Sequence, residues 1–109
     1  MTEELQRIGI AEALGWKPCH KGCEGKTWRL PDDSGCQPEL PKYPSSLDAC
    51  TALIDFLEKR GYACVMVAQH GKRCCTFTTN GRADFKAISD TFPKAICKSF
   101  LTVLGLWEH

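Results

Sequence analysis

The stretch Tyr62–Thr79 restricts the fold of this chain more than any other. Two runs rich in apolar residues, Tyr62–Gln69 and Lys72–Thr79, flank His70-Gly71, and a pair ending in glycine suits the left-handed backbone of a tight hairpin turn. A two-residue turn fixes the register: Gln69 faces Lys72, Met66 faces Cys75, and Cys64 faces Phe77. Alternation then places Tyr62, Cys64, Met66, Cys75 and Phe77 on one face, with Ala63, Val65, Val67, Cys74 and Thr76 on the other. Both faces are apolar in the middle. Antiparallel strands with one wet face alternate apolar and polar, so this pattern predicts cover on both sides, with helices in two layers.

Three segments can supply those helices. Thr2 caps the first, Glu3 and Glu4 favour the positive end of its dipole, and Leu5, Ile8, Ala11 and Leu14 form its stripe before Gly15 stops it. Gly9 costs that helix up to about 1 kcal/mol relative to alanine, which points to close packing there. The second spans 46–60: Ser45 and Asp48 resemble a capping box, Leu47, Cys50, Leu53, Ile54 and Leu57 share a face, and Gly61 ends it. Asn80-Gly81 marks another turn, Ala83–Ser89 reads as a third strand, and Asp90 or Thr91 caps a last helix with Pro93 in its first turn. That helix carries Phe92, Ala95, Ile96, Phe100, Val103 and Leu104 on a broad apolar face. Gly105 ends it, and Leu106-Trp107 fold back onto the core. The predicted fold is α+β, a single α-β-α sandwich-like domain with three helices around an antiparallel hairpin or three-stranded sheet.

A length of 109 residues, 43% of them apolar, suits one domain spanning 1–109 and excludes general disorder. No apolar run nears the roughly 20 residues that span a bilayer, so no membrane partner is expected. The acidic start, Met1-Thr2-Glu3-Glu4, is unlike a secretory signal, and a cytoplasmic protein is the expectation. Residues 17–45 differ in kind from the rest: they hold five of the six prolines and three of the eight cysteines, without a helical period. Thr27–Leu30 is the one short piece there that reads as a strand, and Pro31–Gly35 is a turn by composition. So long a loop needs a function or a staple.

Within it, Cys19, His20, Cys23 and Cys36 are the best metal candidates, because four nitrogen and sulfur groups can close a tetrahedral zinc site. Spacing argues against it, since Cys19 and Cys23 do not form a Cys-x-x-Cys pair and His20 adjoins Cys19. His70 is then a candidate fourth ligand. Free thiols, or a disulfide from Cys36 to Cys19 or Cys23, stay open beside one structural zinc. Ordering the loop costs about 1–2 kcal/mol per residue in backbone entropy, whereas structural zinc returns about 10–16 kcal/mol. Trp28 and Leu30 must therefore pack onto the domain whichever cysteine chemistry holds. Cys50, Cys64 and Cys97 lie on apolar faces and read as core filler, as does one of the neighbours Cys74 and Cys75.

Net charge is only +1, but it is unevenly spread. Residues 1–58 carry six Lys/Arg against ten Asp/Glu, whereas 59–98 carry eight against two. Lys72, Arg73, Arg82, Lys86, Lys94 and Lys98 form a candidate basic edge toward phosphates or an acidic partner. Tyr62 and Phe77, the aromatics nearest that edge, read as core, which weakens base stacking on single-stranded nucleic acid. No phosphate-binding glycine loop or His-Glu-x-x-His helix is present, and Cys74 or Cys19 beside His70 or His20 is adjacency, not a triad. The expectation is a protein that is not an enzyme.

Four blocks carry a family resemblance: Ile10–Lys17, Pro44–Ala49, Asp90–Lys98 and Leu101–Glu108. In this order they resemble the phage ABA-sandwich domain family, while residues 17–43 have no counterpart in that pattern. The resemblance implies a small α-β-α protein of phages or prophages, working in the host bacterial cytoplasm, and supplies no catalytic residues. Joined to the basic edge, it leads to a non-enzymatic phage accessory protein that binds a host-defence protein or ribonucleoprotein complex, in the manner of an anti-CRISPR antagonist. Three alternatives remain: a zinc-stapled nucleic-acid-associated module, a sponge for a nucleotide signal acting as a homo-oligomer, and a virion-associated structural protein.

Overall fold

The computed structural model describes residues 1–18, 27–32, 34–79 and 83–107. In chain order it contains α1 (Glu3–Leu14), short strands β1 (Lys17–Pro18), β2 (Trp28–Arg29) and β3 (Cys36–Gln37), and a 3-10 turn at Tyr43–Ser45. There follow α2 (Leu47–Glu58), β4 (Ala63–Gln69), β5 (Lys72–Thr79), β6 (Ala83–Ser89) and α3 (Phe92–Val103). Among the described residues the architecture is α+β: three helices with two three-stranded antiparallel sheets, ordered β1-β2-β3 and β4-β5-β6.

Local chemistry explains the element ends. The Leu5 N–H donates to Thr2 Oγ1 at 3.2 Å, satisfying one of the four orphan donors of α1. Gly15 ends that helix at φ 103°, a left-handed conformation that a side chain would resist. A Cβ added at Gly9 would lie 3.5 Å from Leu101 Cδ2, an ordinary van der Waals contact, so α1 packs on α3 at this point but the approach does not require glycine. In α2 the cap is Ser46 and not the Ser45 of the sequence reading: Ala49 N–H donates to Ser46 Oγ at 3.2 Å. Ser45 is instead drawn into the 3-10 turn, where its hydroxyl donates to the Lys42 carbonyl. Thr91 caps α3 by accepting from Lys94 N–H.

The hairpin turns through His70 (φ 51°) and Gly71 (φ 75°), the two left-handed residues of a type I′ turn. Gln69 pairs with Lys72, Met66 with Cys75 and Cys64 with Phe77, the register expected from a two-residue loop. β6 pairs with β5 so that Phe77 faces Phe85 and Cys75 faces Ala87.

One face of this sheet is the floor of the core. α3 crosses β5 and β6, burying Ile96, Cys97 and Phe100 against Cys75 and Phe77. The Ser99 hydroxyl donates to the Phe85 carbonyl, so the buried polar side chain of α3 is satisfied by the sheet. α2 and α1 both pack on α3, and Phe56 of α2 meets Phe100 edge-on at 5.7 Å.

The opposite face corrects the two-sided expectation. Val65, Val67 and Ile88 are 50%, 44% and 53% exposed, and no described element covers them. The reason lies in β6, which brings Asp84, Lys86 and Ile88 to that face, while β5 adds Thr76 and Thr78. The hairpin alone is apolar there, but the completed three-stranded face is mixed, and a mixed face tolerates water.

The described residues of the 17–45 segment include three short strands. β1 to β3 form a small sheet beside α1, with Lys17 opposite Arg29 and Trp28 opposite Gln37. Trp28 and Leu30 pack on a satellite cluster of Ala11, Trp16 and Leu40, which meets the packing required of them. The Arg7 guanidinium donates to the carbonyls of Leu40 and Pro41, tying the far end of the segment to α1. Asp32 Oδ1 accepts from Ser34 N–H at 3.0 Å within the expected turn. No described helix is long and apolar enough to cross a membrane.

Candidate partner-binding surface

β6 is a terminal strand of the larger sheet, and its Ile88 borders two grooves. The first, about 400 Å³, lies on the open face: Val67, Cys74, Thr76 and Ile88 make its floor, with Lys72, Lys86, Gln69 and His70 around it. The second, about 220 Å³, is lined by Ile88, Ser89, Lys94, Lys98, Trp107, Pro44, Glu3 and Gln6. Each groove carries two lysines. Strand alternation explains the first pair: Lys72 and Lys86 occupy positions of β5 and β6 that share the Val67 face. Helical spacing explains the second, since Lys94 and Lys98 are four apart on α3 and so share a side of it.

Electrostatics differ among these cations. Lys72 Nζ lies 2.7 Å from Asp90 Oδ1, with both side chains well exposed. That hydrogen bond, and then the lysine charge, hold the Asp90 carboxyl below the usual carboxylate range, with Lys94 adding a smaller pull. Such an exposed pair is readily exchanged for an incoming anion, because surface ion pairs contribute little. Lys86 is exposed and makes no ion pair among the described residues. Lys98 is half-buried with Nζ 5.3 Å from the Trp107 ring, a cation–π contact that holds it at the groove.

Of the six residues of the expected basic edge, the structure places Lys72 and Lys86 in the first groove and Lys94 and Lys98 in the second. Arg73 is on the helix-facing side, its guanidinium 5.6 Å from the Phe92 ring and donating to the Lys72 carbonyl. Arg82 and the Asn80-Gly81 turn lie outside the described residues, as do the metal candidates Cys19, His20 and Cys23. Cys36 is exposed on β3. Among the described residues, no group of three or more His, Cys, Asp or Glu is gathered to hold a metal ion.

The other cysteines divide by face. Cys50, Cys75 and Cys97 are fully buried. The Cys50 thiol donates to the Tyr43 carbonyl at 3.1 Å and its sulfur lies 4.0 Å from that of Cys97. Cys64 and Cys75 approach to 3.8 Å across the hairpin. Their hydrogen bond lowers the pKa of the half-buried Cys64 and raises that of Cys75, which burial raises further. Cys74 lines the first groove, and its sulfur lies 3.8 Å from Thr76 Oγ1.

One feature was missed by sequence reasoning altogether. A third groove of about 420 Å³ runs between Leu14, Trp16, Pro31, Pro41, Tyr43 and Asp48. It forms where the 17–45 segment folds back on α1 and α2, a long-range contact that no local pattern announces. Tyr43 is almost fully buried beneath it, and burial pushes its hydroxyl up to about 12. Compared with known family models, curated proteins and solved structures, the chain finds no match.

Proposed function

We propose that this chain is a non-enzymatic phage accessory protein that seats the β6 margin on a phosphate- or carboxylate-bearing partner, most concretely a bacterial host-defence ribonucleoprotein. The observation that carries the reading is the pair of grooves meeting at Ile88, each lined by two lysines and floored in part by apolar side chains. Cations around a small apolar centre suit a protein–protein or ribonucleoprotein contact, where charge steers the encounter and buried apolar area retains it.

Base stacking has little to offer here. The described open face has no aromatic side chain, Phe77 is buried, and Tyr62 packs toward Phe85 at 6.4 Å. Contacts to nucleic acid would then run through backbone phosphates and weaken steeply with salt. The sequence blocks that resemble phage ABA-sandwich proteins supply the phage setting and the host cytoplasm as the place of action. The described helices gather on one side of the larger sheet, so the open face takes the place of a second helical layer in this reading.

The test is direct. Purified protein is titrated into a purified CRISPR-type surveillance complex while cleavage of target DNA is followed. Stoichiometric inhibition, relieved by Lys86→Glu together with Lys94→Glu, is the expected result. An absence of complex formation, or equal inhibition by the charge-reversed protein, would overturn the reading.

A further inference from the structure

The two terminal strands of the larger sheet are defended very differently. β6 carries Asp84 and Lys86 within the strand, and Lys94 and Lys98 line the groove beside it. Charges on an edge strand discourage pairing with another chain. β4 has no such protection: Ala-Cys-Val-Met-Val-Ala-Gln is seven residues without a charge, a proline or a glycine. Its central residues Val65, Met66 and Val67 are 50%, 45% and 44% exposed. An uncharged terminal strand of this length with high β-propensity is a template for one more strand.

Backbone direction can be read from the hairpin. Gln69 and Lys72 flank a two-residue turn and exchange hydrogen bonds, so Val67 and Val65 also bond inward to β5. The N–H and C=O groups of Ala68, Met66 and Cys64 therefore point outward. We propose that these groups pair with the same strand of a second copy of this chain, antiparallel about a twofold axis at Met66, joining two three-stranded sheets into one of six strands.

A second copy is the occupant because the strand is complementary to itself. With Met66 on the axis, Val65 meets the second copy's Val67 on the open face, twice by symmetry, and Cys64 meets Ala68 on the other. Every outward backbone group then finds a partner, giving about six hydrogen bonds. No like charges meet, and two β-branched cross-strand pairs form. The valines also extend the stripe of Val67, Cys74 and Ile88 across both copies. The β6 margins stay free at the two outer edges, so the inference stands apart from the proposed function.

Sedimentation equilibrium over a range from micromolar to hundreds of micromolar, with reductant present, tests this. The expected result is a reversible dimer of the 12.1 kDa chain. Met66→Lys, whose side chain is already half-exposed, places two cations on the axis and should weaken association by about tenfold or more. Ile88→Lys lies away from β4 and should leave association unchanged, with circular dichroism confirming that both variants fold. A monomer throughout that range, a dimer that disappears under reductant, or a dimer lost in Ile88→Lys but kept in Met66→Lys would overturn the proposal.

Discussion

At the scale of single residues, the core is an unusual mixture of thiols and a buried phenol. Cys97 is fully buried, and its pKa is raised by its contact with Cys50 and then by burial. Tyr43 is raised to about 12 chiefly by burial. In the unfolded chain these groups release protons near about 8.5 and about 10 respectively. The folded protein holds them longer, so above those values it binds more protons than the unfolded chain and loses stability as pH rises. Melting temperature should be level from neutral pH to about 8 and fall above about 9, continuing through the range where tyrosine ionises. Thermal scans against pH check this, and Tyr43→Phe should flatten the most alkaline part of the curve. A melting temperature unchanged up to pH of about 11 would contradict the account. Access to thiols follows the same geometry. Peptide mapping after brief alkylation of the native protein should find Cys50, Cys75 and Cys97 unmodified, whereas labelling in denaturant should reach all three.

At the scale of elements, helix ends and strand register were legible because they depend on local chemistry. Thr2, Gly15, Thr91 and His70-Gly71 act where their side chains or backbone preferences place them, and the hairpin register follows from turn length alone. The cap of α2 was misread by one residue because Ser45 and Ser46 are equally good caps. The preceding Tyr43-Pro44 forms a 3-10 turn, and that tertiary choice consumes Ser45. Ser46→Ala should therefore cost about 1 kcal/mol in urea unfolding, and Ser45→Ala only a few tenths. Equal losses at the two positions would contradict the assignment. The small β1-β2-β3 sheet was less legible, since two-residue strands leave no period to read. Trp28 and Leu30 were nevertheless identified as packing residues, on the ground that an ordered loop must find burial somewhere. Of the candidate site, the lysines were visible as charge, but the grooves were not. Their convergence depends on α3 crossing behind β6, which no spacing in the sequence records.

At the scale of the whole molecule, the decisive feature is asymmetry of cover. Two strands that are apolar on both sides call for helices on both faces. The third strand changes the balance by adding Asp84 and Lys86 to the second face, which the structure leaves open. Substitutions should report that difference. Phe77→Ala, in the covered face, should cost about 3–5 kcal/mol. Ile88→Lys, on the open face, should stay within about 0.5 kcal/mol of the parent protein. Comparable losses from the two would mean that the open face is covered in solution. The same asymmetry underlies the proposed function, because it leaves an apolar floor between lysines facing outward. A direct measure of that claim is the affinity of the purified protein for a purified host-defence ribonucleoprotein, compared between parent and Lys86→Glu/Lys94→Glu. The account predicts tight binding by the parent that weakens with added salt and is lost in the charge-reversed variant. Equal affinity of the two proteins for the complex would contradict it.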